Sequence, residues 1–148
     1  MPETTLDGSD LTSGIAAFET KSFSTASRLL SPLAEAGDPD AQFRMAIMCQ
    51  NGLGMVTNEK KAAKYMENAA EQGHALAQHG IGFMYMEGEC VEKDANKAIK
   101  WFKLAADQGM QGSMSTLAMM YREGHGVEKD EAEARRLFEM AGFNPDEM

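Results

Sequence analysis

An all-α fold, a solenoid of stacked antiparallel helix hairpins, is predicted by two observations: a 36-residue internal repeat, and two stretches of helical spacing inside each copy, bounded by caps and glycines. Gly37, Gly73 and Gly109 stand 36 apart, as do Gly52, Gly88 and Gly124. Met55, Val91 and Val127 share one phase, and Asn58, Asp94 and Asp130 share another. Alanines recur at 62, 98 and 134 and again at 69, 105 and 141. Between them lie large apolar pairs: Tyr65 and Met66, Trp101 and Phe102, Leu137 and Phe138. Small residues at such spacing let helices approach closely while the large ones fill the gap.

The elements follow in order along residues 1–148, read as a single domain. The segment 8–36 keeps the second-helix phase, because Ala26, Leu29, Leu30 and Leu33 lie 36 before Ala62, Tyr65, Met66 and Ala69, and Ser22 stands where Asn58 caps. It has no glycine-bearing loop before Ser22, so a divergent, tightly joined hairpin is expected. Pro32 removes one backbone bond from its second helix and predicts a bend or a loosened last turn. In 37–72, Asp38 before Pro39 gives a cap followed by proline at the first helical position. The run DAQFRMAIMCQNG has helical spacing and ends at Gly52, a residue suited to a left-handed C-cap. A loop of about five residues then leads to Asn58, which caps the second helix. Residues 73–108 repeat this with Asp94 as cap, and 109–142 with Asp130, whose spacing to Glu133 is that of a capping box.

The loop GECVEKD at 88–94 gathers a cysteine, two glutamates and an aspartate, which suggests chemistry; its copy GHGVEKD at 124–130 argues for architecture. Gly88 ends a helix, Val91 plugs the hairpin's apolar core, and Asp94 caps the next helix. Cys90 replaces Gly54 and Gly126 of the other copies and is expected to keep a negative φ. The segment 143–148 is a tail without a polar capping helix. Apolar surface is therefore expected on the last hairpin unless Phe143 folds back or another chain covers it.

Residues 77–109 carry a known pattern: Ala77, Ile81 in a leucine place, Gly82, Tyr85, Gly88, Val91, Asp94, Lys97, Ala98, Trp101, Ala105, Ala106 and Gly109. This resembles the Sel1-like repeat, a relative of the tetratricopeptide repeat, of bacterial type. The copy at 37–72 departs at Cys49 for Tyr and Asn58 for Asp, and the copy at 109–142 at Ser113 for Ala, Glu133 for Lys and Leu137 for Trp. The hairpin at 8–36 is similar to a plain tetratricopeptide unit. The resemblance implies four hairpins in a right-handed superhelical arc.

Composition narrows the function. With 14 basic against 23 acidic residues the formal charge is −9, and 43% of residues are apolar. An acidic chain without a basic stripe is a poor match for phosphate backbones or anionic membranes, so neither nucleic acid nor membrane is expected as a partner. No run reaches the ~18 apolar residues of a spanning helix, and the start lacks signal-peptide features. A cytoplasmic protein is expected, or a periplasmic or secreted one where a native leader has been replaced. Cys49 and Cys90 form no CxxC and are expected as free thiols; cysteine-rich members of the resembled family pair two cysteines within one hairpin, which these do not match. Cys49 is expected as a small buried hydrophobe and Cys90 as the more exposed of the two.

No catalytic residue, metal or cofactor is expected. His74, His79 and His125 are the only histidines, and there is no HExxH, paired Cys/His spacing or GxSxG. Because some proteins of the resembled family act on β-lactams, a Ser-x-x-Lys nucleophile is the relevant motif, and no serine has it; Thr57 with Lys60 is the nearest approach. A β-lactam-type hydrolase is thus a remote alternative.

The resemblance implies that the first helix of each hairpin lines a concave face. The matching residues are Leu11, Ile15 and Phe18, then Asp40, Phe43, Ile47 and Gln50. The third hairpin supplies Leu76, His79, Phe83 and Met86, and the fourth Ser115, Met119 and Arg122. This set is more apolar than a solvated face, whereas Met48, Met84 and Met120 share one phase and are expected in the core. Relatives that grip a C-terminal carboxylate use Lys, Asn and Arg where this chain has Phe43, Ile47, His79 and Phe83. The expectation is a non-catalytic protein-protein interaction adaptor that takes an apolar or amphipathic peptide, with Arg122 and His79 as polar anchors. Two competing expectations remain: curvature that buries these positions between first helices, and a self-associating homo-oligomer joined through the groove or the last hairpin.

Overall fold

The computed structural model describes residues 8–144 and 146, among which there are eight α-helices and no strand. They are α1 (Gly8–Glu19), α2 (Phe23–Glu35), α3 (Pro39–Asn51), α4 (Glu59–Glu71), α5 (Ala75–Glu87), α6 (Ala95–Asp107), α7 (Gln111–Glu123) and α8 (Glu131–Met140). The chain divides between His74 and Ala75 into two compact units. In the first, α1 packs on α2, α2 on α3 and α3 on α4, and α1 also touches α3. In the second, α5 packs on α6, α6 on α7 and α7 on α8.

Each glycine-loop hairpin is closed by the same pair of bonds at its N-cap. The side chains of Asn58, Asp94 and Asp130 accept from the backbone N–H three residues on, at 3.0, 3.1 and 3.0 Å. Their own N–H groups donate back to the first helix, Asn58 to Cys49 O, Asp94 to Tyr85 O and Asp130 to Tyr121 O, each at 2.9 Å. Asp38 likewise accepts from Ala41 N at 2.9 Å, with Pro39 opening the helix. A side-chain cap of this kind contributes about 1 kcal/mol. Gly52 and Gly124 close α3 and α7 in the left-handed conformation, as their positions predict.

Four local expectations are corrected. Ser22 precedes α2 but makes no side-chain cap bond. Its backbone (φ −88°, ψ 68°) is not the extended one that aims Asn58 (φ −144°, ψ 98°), because the α1–α2 connection is too short and places Lys21 at φ 62°. The capping box at Asp130 forms only one of its two bonds: the Asp130 N–H is taken by Tyr121 O, and the Glu133 carboxylate pairs with Arg136 at 2.6 and 3.0 Å instead. Pro32 does not loosen the last turn of α2, since Ala36 N donates to Pro32 O at 3.0 Å and α2 ends in the same geometry as α8. Finally, Cys90 has φ +65°, matching Gly54 (+69°) and Gly126 (+75°). The loop needs a left-handed residue here whatever its side chain, so Cys90 adopts a backbone that costs an L-residue about 1–2 kcal/mol.

The first unit's core is built on Leu30, Met45, Met48 and Met66 among alanines; the second is built on Ile81, Phe102, Leu117, Met120 and Phe138. Met48, Met84 and Met120 are all buried. Gly82 permits a close approach of α5 to α6, since a Cβ there would meet the fully buried Phe102 ring at 2.7 Å. Cys49 is buried, its thiol donating to Met55 Sδ at 3.4 Å, and neither cysteine is in a disulfide. Two buried polar residues escaped the sequence reading. Gln42 Oε1 accepts from Gln72 Nε2 at 2.9 Å, and Gln78 Oε1 accepts from Gln108 Nε2 at 2.8 Å, so each glutamine pair ties the two helices of one hairpin together. At the C-terminal end α8 is three residues shorter than α6. Phe143 does fold back, its ring edge-on to Phe138 at 6.3 Å and its N–H on Phe138 O, yet it stays 49% exposed.

The left-handed Cys90 makes a clean prediction, independent of contacts its side chain makes. Cys90→Gly should be about 1 kcal/mol more stable than Cys90→Ala in urea denaturation, because only glycine escapes the steric penalty at φ +65°. Equal stability of the two variants would contradict the left-handed assignment.

Candidate functional site

None of the first-helix positions singled out from the sequence is buried; all are half-buried or exposed. In the first unit they form an aromatic and charged cluster. Phe18 lies edge-on to Phe23 at 5.9 Å, while Phe43 stacks on His74 at 4.9 Å. His74 Nε2 in turn bonds the Asp40 carboxylate at 2.9 Å. The Arg44 guanidinium, unnoticed in the sequence, lies 5.9 Å from the Phe18 and Phe43 rings alike and donates to Asp40 O at 3.1 Å. Arginine over an aromatic face is a stabilising cation–π arrangement, so Arg44 joins α1 to α3. Ile47 and Gln50 continue the α3 face, and Leu11 and Ile15 the α1 face.

In the second unit the face is built over Phe102. His79 and Phe83, one turn apart on α5, both rest against that ring, at 5.6 and 5.4 Å between centroids, and against each other at 4.8 Å. Phe83 still exposes 37% of its surface and Met119 on α7 exposes 46%. Between α5 and α7 lies a cleft of about 250 Å³, lined by Phe83, Met86, Met119 and Met120 and edged by Glu87, Thr116, Glu123 and His125. The structure thus brings together Phe83, Met86 and Met119 of the expected set. Leu76 is exposed outside the cleft lining, and Ser115 and Arg122 are turned to different tasks. Ser115 Oγ donates to carbonyls of its own helix, Gln111 O and Gly112 O. Arg122 lies over the Phe138 ring at 5.2 Å and reaches Glu123 only at 4.0 Å.

His79 has a nucleophile-type neighbour, its Nδ1 lying 2.6 Å from Ser113 Oγ. The pair is structural. Ser113 is 0% exposed, so no substrate reaches its hydroxyl, and the bond ties α5 to α7. Burial holds the His79 pKa below its ordinary value of 6.5. Both residues are departures from the repeat, at places held by Phe43 and Ala77 in the preceding copy. Elsewhere burial pushes the Tyr65 phenol well above its usual range, and its bond to the Glu35 carboxylate pushes in the same direction. Among the described residues no group of three or more His, Cys, Asp or Glu side chains is placed to hold a metal ion.

Residues 39–74, 75–110 and 113–142 each match the family model of the Sel1 repeat. The chain belongs to the Sel1 repeat family. Solved structures agree with this assignment. A Sel1 repeat protein from Oxalobacter formigenes superposes with a TM-score of 0.82 at 29% identity, covering 88% of this chain and 54% of that one. A protective antigen of uropathogenic Escherichia coli strains, c5321, which displays the same repeat fold, gives 0.84 at 28% identity over 90% of this chain and 29% of its own. The cysteine rich protein B of Helicobacter pylori gives 0.63 at 22% identity over 82% of this chain and 86% of its own, which supports the fold alone. The chain therefore spans about half of the first and under a third of the second. No protein of curated function matches the sequence. Sel1 repeats form all-α helical-repeat solenoids; they generally serve as protein-protein interaction scaffolds and are typically non-catalytic. No helix among the described residues is long and apolar enough to cross a membrane.

His79 should leave a signature in the pH dependence of stability. Its folded pKa is depressed, so below the unfolded value of 6.5 the unfolded chain takes up a proton that the folded chain resists. Stability is expected to fall as pH drops from about 6.5 towards 5, and His79→Gln should flatten that slope in denaturant titrations. Parallel slopes in parent and variant would contradict a half-buried His79 that resists protonation.

Proposed function

We propose that this Sel1 repeat protein is a non-catalytic adaptor that holds an apolar or amphipathic segment of a partner protein against the first helices of its hairpins. The α5–α7 cleft carries the proposal. It keeps Phe83 and Met119 at the surface, beside Met86, where water contact is unfavourable, and contiguous exposed apolar surface of this kind marks interaction sites. Methionine walls add an adaptable surface that reshapes around different side chains. In the first unit, taken by itself, Arg44 between Phe18 and Phe43 offers a polar contact on α3. The buried Ser113 lends the hydrolase alternative no support.

Self-association is the second reading, favoured by the exposed Met140 at the end of α8 and Phe143 just after it. Light scattering separates the two: a monomer at every concentration opposes self-association, whereas a dimer lost in Phe83→Glu assigns the cleft to it.

Affinity capture with the intact chain tests the adaptor reading. Phe83→Glu and Met119→Glu should each weaken the captured partner by about tenfold or more, corresponding to about 1.4 kcal/mol. Lys100→Glu on the exposed face of α6 should leave capture unchanged. A partner retained equally by all variants would refute the first-helix face as the binding surface.

A further inference from the structure

The walls of the α5–α7 cleft repeat one another. Phe83 is followed four residues later by Glu87, and Met119 four residues later by Glu123, the two pairs standing 36 apart in the sequence. Each glutamate is the last residue of its helix. One turn of helix is a rise of about 5.4 Å, so both walls run from an apolar surface to a carboxylate over the same distance. The corresponding pair in the second hairpin is Ile47 and Asn51, apolar followed by neutral, so the acidic end belongs to the second unit.

The acidic end lacks full compensation. The C-termini of α5 and α7 carry the negative ends of their helix dipoles, which adds to the two carboxylates. Among the described residues Glu87 has no ion pair, and α5 has no basic residue in its last turn. Arg122 sits at 4.0 Å from Glu123 with its guanidinium over Phe138, and Lys129 is engaged by Glu131 at 3.6 Å. The remaining group on the rim, His125, is exposed.

Resting on the adaptor reading above, we infer that the occupant of this cleft is a basic amphipathic helix of a partner protein: an apolar side chain seated among Phe83, Met86 and Met119, with a lysine or arginine four residues away facing Glu87 and Glu123. The spacing of the partner follows from the walls, since i and i+4 on a helix share a face and differ by one turn. A second copy of this chain is a poorer occupant, because two molecules of net charge −9 repel. Complementary rim charges act chiefly on specificity and association rate, so discrimination between basic and acidic ligands is the expected signature.

Fluorescence anisotropy with three labelled helical peptides tests this. The first carries leucines along one face with lysines four residues from them; the second replaces the lysines by glutamates; the third replaces the leucines by serines. The lysine peptide should bind about tenfold more tightly than the glutamate peptide at low ionic strength, with the gap shrinking as salt screens the rim. Glu87→Gln/Glu123→Gln should close the gap, and the serine peptide should bind far more weakly than the leucine one. Equal binding of the lysine and glutamate peptides would overturn the basic-partner inference while leaving the cleft as an apolar site. Lysine-peptide binding that survives Phe83→Glu, or that the serine peptide reproduces, would overturn the cleft itself. Absence of lysine-peptide binding at millimolar concentration would overturn the inference outright.

Discussion

The N–H of each second-helix cap, donated to a carbonyl near the end of the first helix, is the bond on which the rest of this structure depends. Asn58 to Cys49, Asp94 to Tyr85 and Asp130 to Tyr121 repeat it at 2.9 Å, and the same residues' side chains open the following helix. One residue therefore satisfies two otherwise orphaned helix-end groups and fixes where the second helix begins relative to the first. Once that start is fixed, Ala62 and Ala98 fall against their hairpin partners, and the large residues fill a space of set depth. The α1–α2 hairpin keeps only half of the arrangement. Across a three-residue connection with Lys21 in the left-handed region, the Ser22 N–H still donates to Ala17 O at 2.8 Å, but its side chain makes no cap bond, and Ala26, Leu30 and Leu33 pack beneath it.

Because closure is handled by the loops, the outward sides of the first helices are free to vary. Departures from the repeat come in matched sets, some of them inside the core. His79 replaces the phenylalanine of the preceding copy, and Ser113 replaces an alanine of the preceding copy; the two then bond at 2.6 Å. Glu87 and Glu123 appear together at one repeat phase, where the second hairpin has Asn51. Architecture is set by the residues that the copies share, and binding character by those they do not.

Much of the fold was legible in the sequence because a repeat states each offset three times: the caps, the glycine helix ends and the buried Met48, Met84 and Met120 all lie where phase places them. What escaped depended on which side chain meets which. The glutamine pairs join residues 30 apart, and although Gln42 and Gln78 share a phase, as do Gln72 and Gln108, phase alone does not show that the two rows meet. Cys90 was misjudged because a cysteine in place of glycine suggests a relaxed backbone, whereas the loop imposes the left-handed turn on whatever residue stands there. Arg44 was invisible as a site residue, since its place between two rings depends on the packing of α1 against α3. On the expected face, Phe83, Met86 and Met119 came together, while Ser115 and Arg122 were drawn to backbone and to Phe138.

The central claim is that binding chemistry sits on the α5–α7 face over an unchanging repeat core. Methionine-methyl NMR tests it most directly, because the chain carries natural probes in both places: Met86 and Met119 at the cleft, Met48 and Met66 in the core of the first unit. Titration with the lysine-bearing peptide should shift the Met86 and Met119 resonances and leave Met48 and Met66 in place. Shifts confined to Met140, or spread evenly over the core methyls, would contradict the account.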